Sequence, residues 1–232
     1  MNVQGYQKLT LLDFPGKVAC TVFTGGCNLR CPFCHNASLV LSPREGDNLE
    51  DEVLSYLARR QGILEGVCIT GGEPLLQPTL SDFVQKVKDM GFSVKLDTNG
   101  SDPDALKALL SRGNIDYIAM DIKSSPQGYE KAIGVKMDFE RFSRSVELIR
   151  SSGIPYEFRT TVVKGIHTEE DFISIGSWLS GEEKYFLQCF VDSGNLIGQG
   201  YGAFSSEEMN RFLSIVKKNI PGAEIRGLKE GD

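Results

Sequence analysis

No apolar run in this chain approaches the length that a bilayer-spanning helix needs, so no membrane partner is expected. Basic residues are in deficit: 25 Lys and Arg against 31 Asp and Glu leave a formal charge of −6. That balance argues against a nucleic-acid-coating surface, and no nucleic-acid partner is expected. The start, MNVQGYQK, lacks the basic-then-apolar layout of a secretion signal, and the expected location is the cytoplasm. Linkers, repeats and low-complexity stretches are missing too, which implies one domain over 1–232, with a core at about 17–190 and a C-terminal helix and tail at about 191–232. A disulfide framework is also absent. Of the six cysteines, Cys27, Cys31 and Cys34 are crowded together, while Cys20, Cys68 and Cys189 are scattered. That distribution in a chain without a signal peptide points to a metal site. What the chain does have is 41% hydrophobic residues, spread evenly, enough for a sizeable buried core.

Those apolar residues alternate between short β-rich runs and amphipathic helical stretches. Strands are expected at Val18–Phe23, Gly66–Thr70, Ser93–Leu96, Asp116–Met120, Tyr156–Val163 and Tyr185–Phe190. Helices are expected between and after them, with Thr79, Asp102, Asp138, Thr168 and Ser205 as N-caps and glycines such as Gly62, Gly91 and Gly113 as stops. Asp102 is followed by Pro103, and Ser205 can form a capping box with Glu208. Six strand–helix units imply an α/β fold: a partial (βα)6 TIM-like barrel whose parallel sheet is open on one side. Polar residues gather just after the strands: Gly71-Gly72-Glu73, Asp97-Thr98-Asn99-Gly100, Asp121-Ile122-Lys123, then Lys164 and His167. In parallel α/β sheets the carboxyl ends of the strands form the ligand-binding face. Trp178, Cys20 and Cys68 read as core, and for His167 a loop or capping role is the plainer reading.

The stretch CNLRCPFCHN spaces Cys27, Cys31 and Cys34 as C-x3-C-x2-C. Thiolates suit zinc or iron–sulfur clusters. Structural zinc takes four protein ligands, and the nearest fourth candidate, His35, directly follows Cys34; adjacent side chains rarely reach one metal together. A cubane held by three thiolates leaves one iron for a substrate. A Cys3His zinc site is the alternative.

With Phe33 just before its third cysteine, this segment resembles the signature of the radical S-adenosylmethionine (SAM) superfamily. The resemblance implies that Cys27, Cys31 and Cys34 hold a [4Fe–4S] cluster whose remaining iron chelates the methionine moiety of SAM. It also implies that the backbone around Phe33, Cys34 and His35 runs along the adenine, and that Gly71-Gly72-Glu73-Pro74 meets the SAM amino group. Glycines there would let backbone approach the cofactor closely, although a plain turn would explain the glycines alone.

LDTNG (96–100) and MDIK (120–123) are similar to segments of the glycyl-radical-enzyme activases. By that resemblance Asp97, Thr98 and Asp121 hold a monovalent cation beside SAM, Asn99 belongs to the cofactor-binding segment, and Lys123 meets the SAM carboxylate. A sulfonium, a carboxylate and an amine are complemented by acids with one lysine, while a surface ion pair would also account for Asp121 and Lys123. Thr10–Lys17 (TLLDFPGK) and Phe158–Val163 (FRTTVV) most resemble the activating proteins of anaerobic, class III ribonucleoside-triphosphate reductase. The implied activity is that of an oxidoreductase that cleaves SAM reductively and generates a glycyl radical on a partner enzyme, with flavodoxin or ferredoxin as reductant. Alternatives are an activase of a pyruvate formate-lyase-like enzyme and a small-molecule radical SAM enzyme such as 7-carboxy-7-deazaguanine synthase. One departure is a histidine that the formate-lyase activase carries near the position of Val191; Gln188, Cys189 or Asp192 are its candidate replacements here. No further cysteines fall at ligand spacing, so no second cluster is expected.

Overall fold

The structure, a computed structural model, describes residues 1–43, 49–182, 184–192 and 194–228. Its strands are β1 (Val3–Thr10), β2 (Ala19–Thr24), β3 (Gly66–Gly71), β4 (Ser93–Thr98), β5 (Tyr117–Asp121), β6 (Tyr156–Val162), β7 (Tyr185–Cys189) and β8 (Glu224–Arg226). Helices α1 (Ala37–Leu41) and α2 (Glu50–Ala58) lie between β2 and β3, and α3 (Leu80–Asp89) and α4 (Pro103–Leu110) follow β3 and β4. Helices α5 (Tyr129–Ile133) and α6 (Glu140–Ser151) follow β5; α7 (Glu169–Trp178) and α8 (Ser206–Val216) follow β6 and β7. The strands join in chain order, β1 to β8, in one open eight-stranded sheet. This is the α/β, partial-barrel architecture that the strand–helix alternation predicts.

Two strands extend the expected six. β1 pairs antiparallel with β2, from Val3 opposite Thr24 to Thr10 opposite Ala19, and β8 pairs parallel with β7. Neither announces itself in the sequence. β1 (VQGYQKLT) carries a glycine and several polar residues at an edge, and β8 is only three residues long. Interior strand β3 behaves as a fully covered parallel strand should, with continuous apolar burial at Val67, Cys68 and Ile69. Cys20 and Cys68 are core thiols as expected, and burial pushes the Cys20 thiol up to about 12, too high to form a ready thiolate.

The helix signals divide. Asp102 accepts from Ala105 N at 3.1 Å ahead of Pro103, and Thr168–Asp171 and Ser205–Glu208 form reciprocal capping boxes. Thr79 stands at the N-cap of α3 as expected but makes no side-chain cap bond, since its ψ of 16° is not the extended conformation that aims a hydroxyl at the first turn. Trp178, expected in the core, is only half-buried; its ring meets Tyr129 and Phe139 edge-on at 6.2 and 4.8 Å. The TLLDFPGK segment serves packing. Phe14 is buried with Ala19 and Tyr117, and Asp13 accepts from the Thr21 hydroxyl at 2.5 Å.

The chain divides into two compact units interleaved in sequence. The first comprises Met1–Asn28, Ser38–Ala119 and Glu140–Tyr156; the second comprises Leu29–Ala37, Met120–Phe139 and Glu157–Asp232. Among the described residues no helix is long and apolar enough to cross a membrane.

Candidate functional site

In the first unit the two glycines at the end of β3, Gly71 and Gly72, are required by backbone packing. Gly71 has φ +117°, and a Cβ there would meet Thr24 N at 2.3 Å. A Cβ on Gly72 would meet Gly26 O at 1.9 Å. The close approach expected of these glycines is therefore made to the chain itself, to the segment that runs into Cys27. Gly72 N donates to Thr24 O at 2.9 Å and Glu73 N to Gly26 O at 2.8 Å, fixing that segment against the β3 end.

Glu73 is 1% exposed and turns inward. Its carboxylate accepts from Leu75 N at 3.1 Å, the Thr98 hydroxyl at 2.8 Å and Asn99 N at 2.6 Å. It acts here as the brace of the turn after β4. From that turn the Asn99 amide donates toward Cys27 Sγ at 3.6 Å and to Asn28 Oδ1 at 3.2 Å. Arg141 Nε and the Ser145 hydroxyl of α6 donate to the carbonyls of Ser101 and Gly100, each at 2.7 Å. Sequence reasoning missed these supports, since nothing marks a helix residue as the partner of a distant carbonyl. Asp97 pairs with Lys95, which is 1% exposed.

In the second unit Cys34 N donates to Cys31 O at 3.0 Å, a tight turn between two of the three thiols. Arg30 N donates to Ile133 O at 2.8 Å, and Gly134 has φ +68° with its absent Cβ 2.2 Å from Arg30 O, so only glycine permits that approach. A glycine-rich stretch of the sequence after β7, residues 193–202, of which Ser193 lies outside the described residues, also packs on the cysteine turn: Gly198 N donates to Pro32 O at 2.7 Å. Phe33 is 4% exposed, with its ring centroid 6.3 Å from that of His167, and His35 lies 5.3 Å from Phe190. Burial, then the charge of Lys123, holds the His35 imidazole below its usual value.

Lys123 Nζ pairs with Asp121 Oδ2 at 3.0 Å, and Arg159 reaches Asp121 Oδ1 through Nε at 3.0 Å and Nη2 at 2.9 Å. Arg159 thus lies on the Asp121 side of its strand. The row continues through Glu157, 2% exposed, which Arg226 of β8 grips at 2.9 and 2.8 Å. Burial would raise the Asp121 carboxyl, but Arg159 and Lys123 outweigh it and hold it well below the carboxylate range. For Lys123 burial works against the charge, while Asp121, Cys31 and Cys34 overcome it and hold the ammonium well above its usual value.

His167 has a defined structural role. Its Nδ1 accepts from Val163 N at 3.0 Å, so Nε2 carries the proton and donates to Lys123 O at 2.9 Å. It ties the end of β6 to the backbone of Lys123. Burial holds this imidazole below its usual value, against the pull of Asp171, while Lys131 adds to the lowering. A lowered folded value means the unfolded chain takes up the proton first as pH falls. The stability is therefore complete above about 6.5 and declines below it. Urea midpoints measured from neutral to mildly acidic pH should fall for the natural chain and fall less for His167→Gln; equal slopes would contradict this role.

Val191 is 59% exposed. Cys189, Val191 and Asp192 line a cavity of about 240 Å³ with Phe204, Ser205 and Gly227. Burial raises the Cys189 thiol.

Residues 21–179 match the model of the Radical SAM superfamily. A candidate glycyl-radical enzyme activating enzyme of Methanocaldococcus jannaschii is 30% identical over 233 residues, 97% of this chain and 95% of the relative. The chain belongs to the radical SAM superfamily, in its glycyl-radical-enzyme activase family. This radical SAM protein is also 31% identical over 155 residues to the pyruvate formate-lyase-activating enzyme of Clostridium pasteurianum, covering 64% of each. Its fold matches a crystallised domain of a pyruvate formate-lyase-activating enzyme from Bacteroides vulgatus with TM-score 0.57 at 20% identity, over 70% of this chain and 99% of that one.

The donor set fits the cluster that the superfamily implies. All six cysteines are thiols without disulfides, Cys31 and Cys34 lie in the field of Lys123, and Cys27 faces an amide donor. Among the described residues no group of three or more His, Cys, Asp or Glu side chains is arranged round a single ion.

Proposed function

We propose that this radical SAM enzyme binds a [4Fe–4S] cluster through Cys27, Cys31 and Cys34, cleaves SAM reductively, and generates a glycyl radical on anaerobic ribonucleoside-triphosphate reductase. The observation that carries the reading is the tight turn of the cysteine motif, with Cys34 N donating to Cys31 O at 3.0 Å, in the same unit as a Lys123 ammonium locked by Asp121 at 3.0 Å. When bound, the cluster would supply the electron for reductive cleavage of SAM, the chemistry that would let a hydrogen be taken from a glycine α-carbon.

The residues of the chain bind and orient. Lys123 offers its ammonium to the SAM carboxylate, with Asp121 holding the side chain in place and His167 holding its backbone. Asn99 presents its amide to Cys27, a hydrogen bond of the kind that tunes an iron–sulfur centre. Glu73 fixes Asn99 through its backbone, and buried Phe33 keeps water from the turn between Cys31 and Cys34. The SAM-binding segment comprises the backbone around Phe33, Cys34 and His35 together with Gly71, Gly72 and Glu73. Flavodoxin or ferredoxin supplies the electron, in the cytoplasm.

The test is anaerobic. Reconstituted protein mixed with SAM and reductant should yield 5′-deoxyadenosine and methionine, and class III reductase added to it should acquire the glycyl EPR doublet. A doublet on a pyruvate formate-lyase-like enzyme and none on the reductase would overturn the partner. Absence of deoxyadenosine from protein with a full complement of iron would overturn the reaction.

A further inference from the structure

We infer that Lys95 takes the place of a free monovalent cation beside Asp97, so that SAM binding by this protein needs neither sodium nor potassium. The inference rests on the reading that the chain binds SAM.

The residues aligned with the activase cation site already have partners of their own. In the first unit the Asp97 carboxylate is paired with the Lys95 ammonium, and the side chains are 13% and 1% exposed. The Thr98 hydroxyl is engaged on both sides, donating to Glu73 Oε1 at 2.8 Å and accepting from Gly100 N at 3.1 Å. In the second unit Asp121 carries two cationic side chains, Lys123 at 3.0 Å and Arg159 at 2.9 Å. One carboxylate faces one ammonium; the other faces an ammonium and a guanidinium. A further cation would enter beside like charges at contact distance in a partly buried setting, where repulsion is several times what it is in water.

Lys95 itself has no packing rationale. It lies inside β4, and its Nζ is 3.8 Å from Cys68 Sγ and 6.0 Å from the Tyr117 ring centroid. A leucine of similar volume would fill that space without taking an ammonium out of water. The lysine makes sense as a charge carrier: a tethered cation that neutralises Asp97 one strand-step from the turn carrying Thr98 and Asn99. Being covalently attached, it costs no ion uptake and does not respond to the salt around it.

SAM affinity should be measured by equilibrium binding to the cluster-loaded protein in potassium, sodium and choline chloride at equal ionic strength. The natural protein should bind equally in all three. Lys95→Met should bind about tenfold more weakly in choline and recover in potassium. Thallium-205 NMR of the natural protein should show no specifically bound thallium ion, a readout that survives if the variant does not fold. A natural protein that loses affinity about tenfold in choline, a specific thallium signal, or a folded Lys95→Met variant that is salt-independent would each overturn the inference alone. No SAM binding in any of the salts would instead overturn the functional reading, and the inference with it.

Discussion

Cys31→Ala will purify without cluster absorption and with its iron lost, whereas Lys123→Ala will keep its iron and bind SAM more weakly. The two side chains lie in one unit and in each other's field, yet their chemistry separates them. Cys31 is 7% exposed and one of three thiols; a cubane left with two protein ligands has two irons open and does not survive handling. Lys123 is a cation without any capacity to ligate iron. Its removal takes one charge-assisted hydrogen bond from the SAM carboxylate, about 2 kcal/mol, or more than tenfold in affinity. Arg159 still covers Asp121 in that variant, so the carboxylate is not left with an unopposed charge. Iron analysis and equilibrium SAM binding on the same preparations check both halves. Loss of iron from Lys123→Ala at unchanged thermal stability would contradict the division of roles.

Gly72→Ala will be far more damaging than its single methyl group suggests. The added Cβ would lie 1.9 Å from Gly26 O, and that atom is backbone, which cannot rotate aside as a side chain can. Either the hydrogen bonds from Gly72 N to Thr24 O and from Glu73 N to Gly26 O break, or the Thr24–Gly26 segment moves and takes Cys27 with it. The expected cost is about 3 kcal/mol, read as a lower urea midpoint, together with incomplete cluster loading. Gly5→Ala is the control: nothing lies within 4 Å of a Cβ there, so its midpoint should move by less than about 0.5 kcal/mol. Equal effects at the two glycines would contradict the packing argument.

These two predictions also separate what could be read from the chain from what could not. The spacing of Cys27, Cys31 and Cys34 and the polar clusters after β3, β4 and β5 were visible because metal ligation and strand-end chemistry depend on residue type and short spacing. The inward turn of Glu73 was not, because a carboxylate following two glycines looks the same whether it meets a ligand or the backbone of Asn99. Lys95 was hidden likewise: within VKLDTNG it reads as one polar residue of an alternating strand, and only the folded chain reveals that it is buried and paired with Asp97. Arg226 and Glu157 meet across 69 positions of sequence, a separation at which no local pattern reports contact.

The sequence by itself determined the fold class, the spacing of Cys27, Cys31 and Cys34 and the caps at Asp102, Thr168 and Ser205, because periodicity, residue spacing and first-turn hydrogen bonds are local properties. Only the tertiary structure decided which charges face one another, why Gly71, Gly72 and Gly134 must lack side chains, and that His167 holds the backbone of Lys123. Those outcomes depend on distances between segments far apart in the chain, and burial, which sets the strength of every charge among them, exists only once the chain has folded.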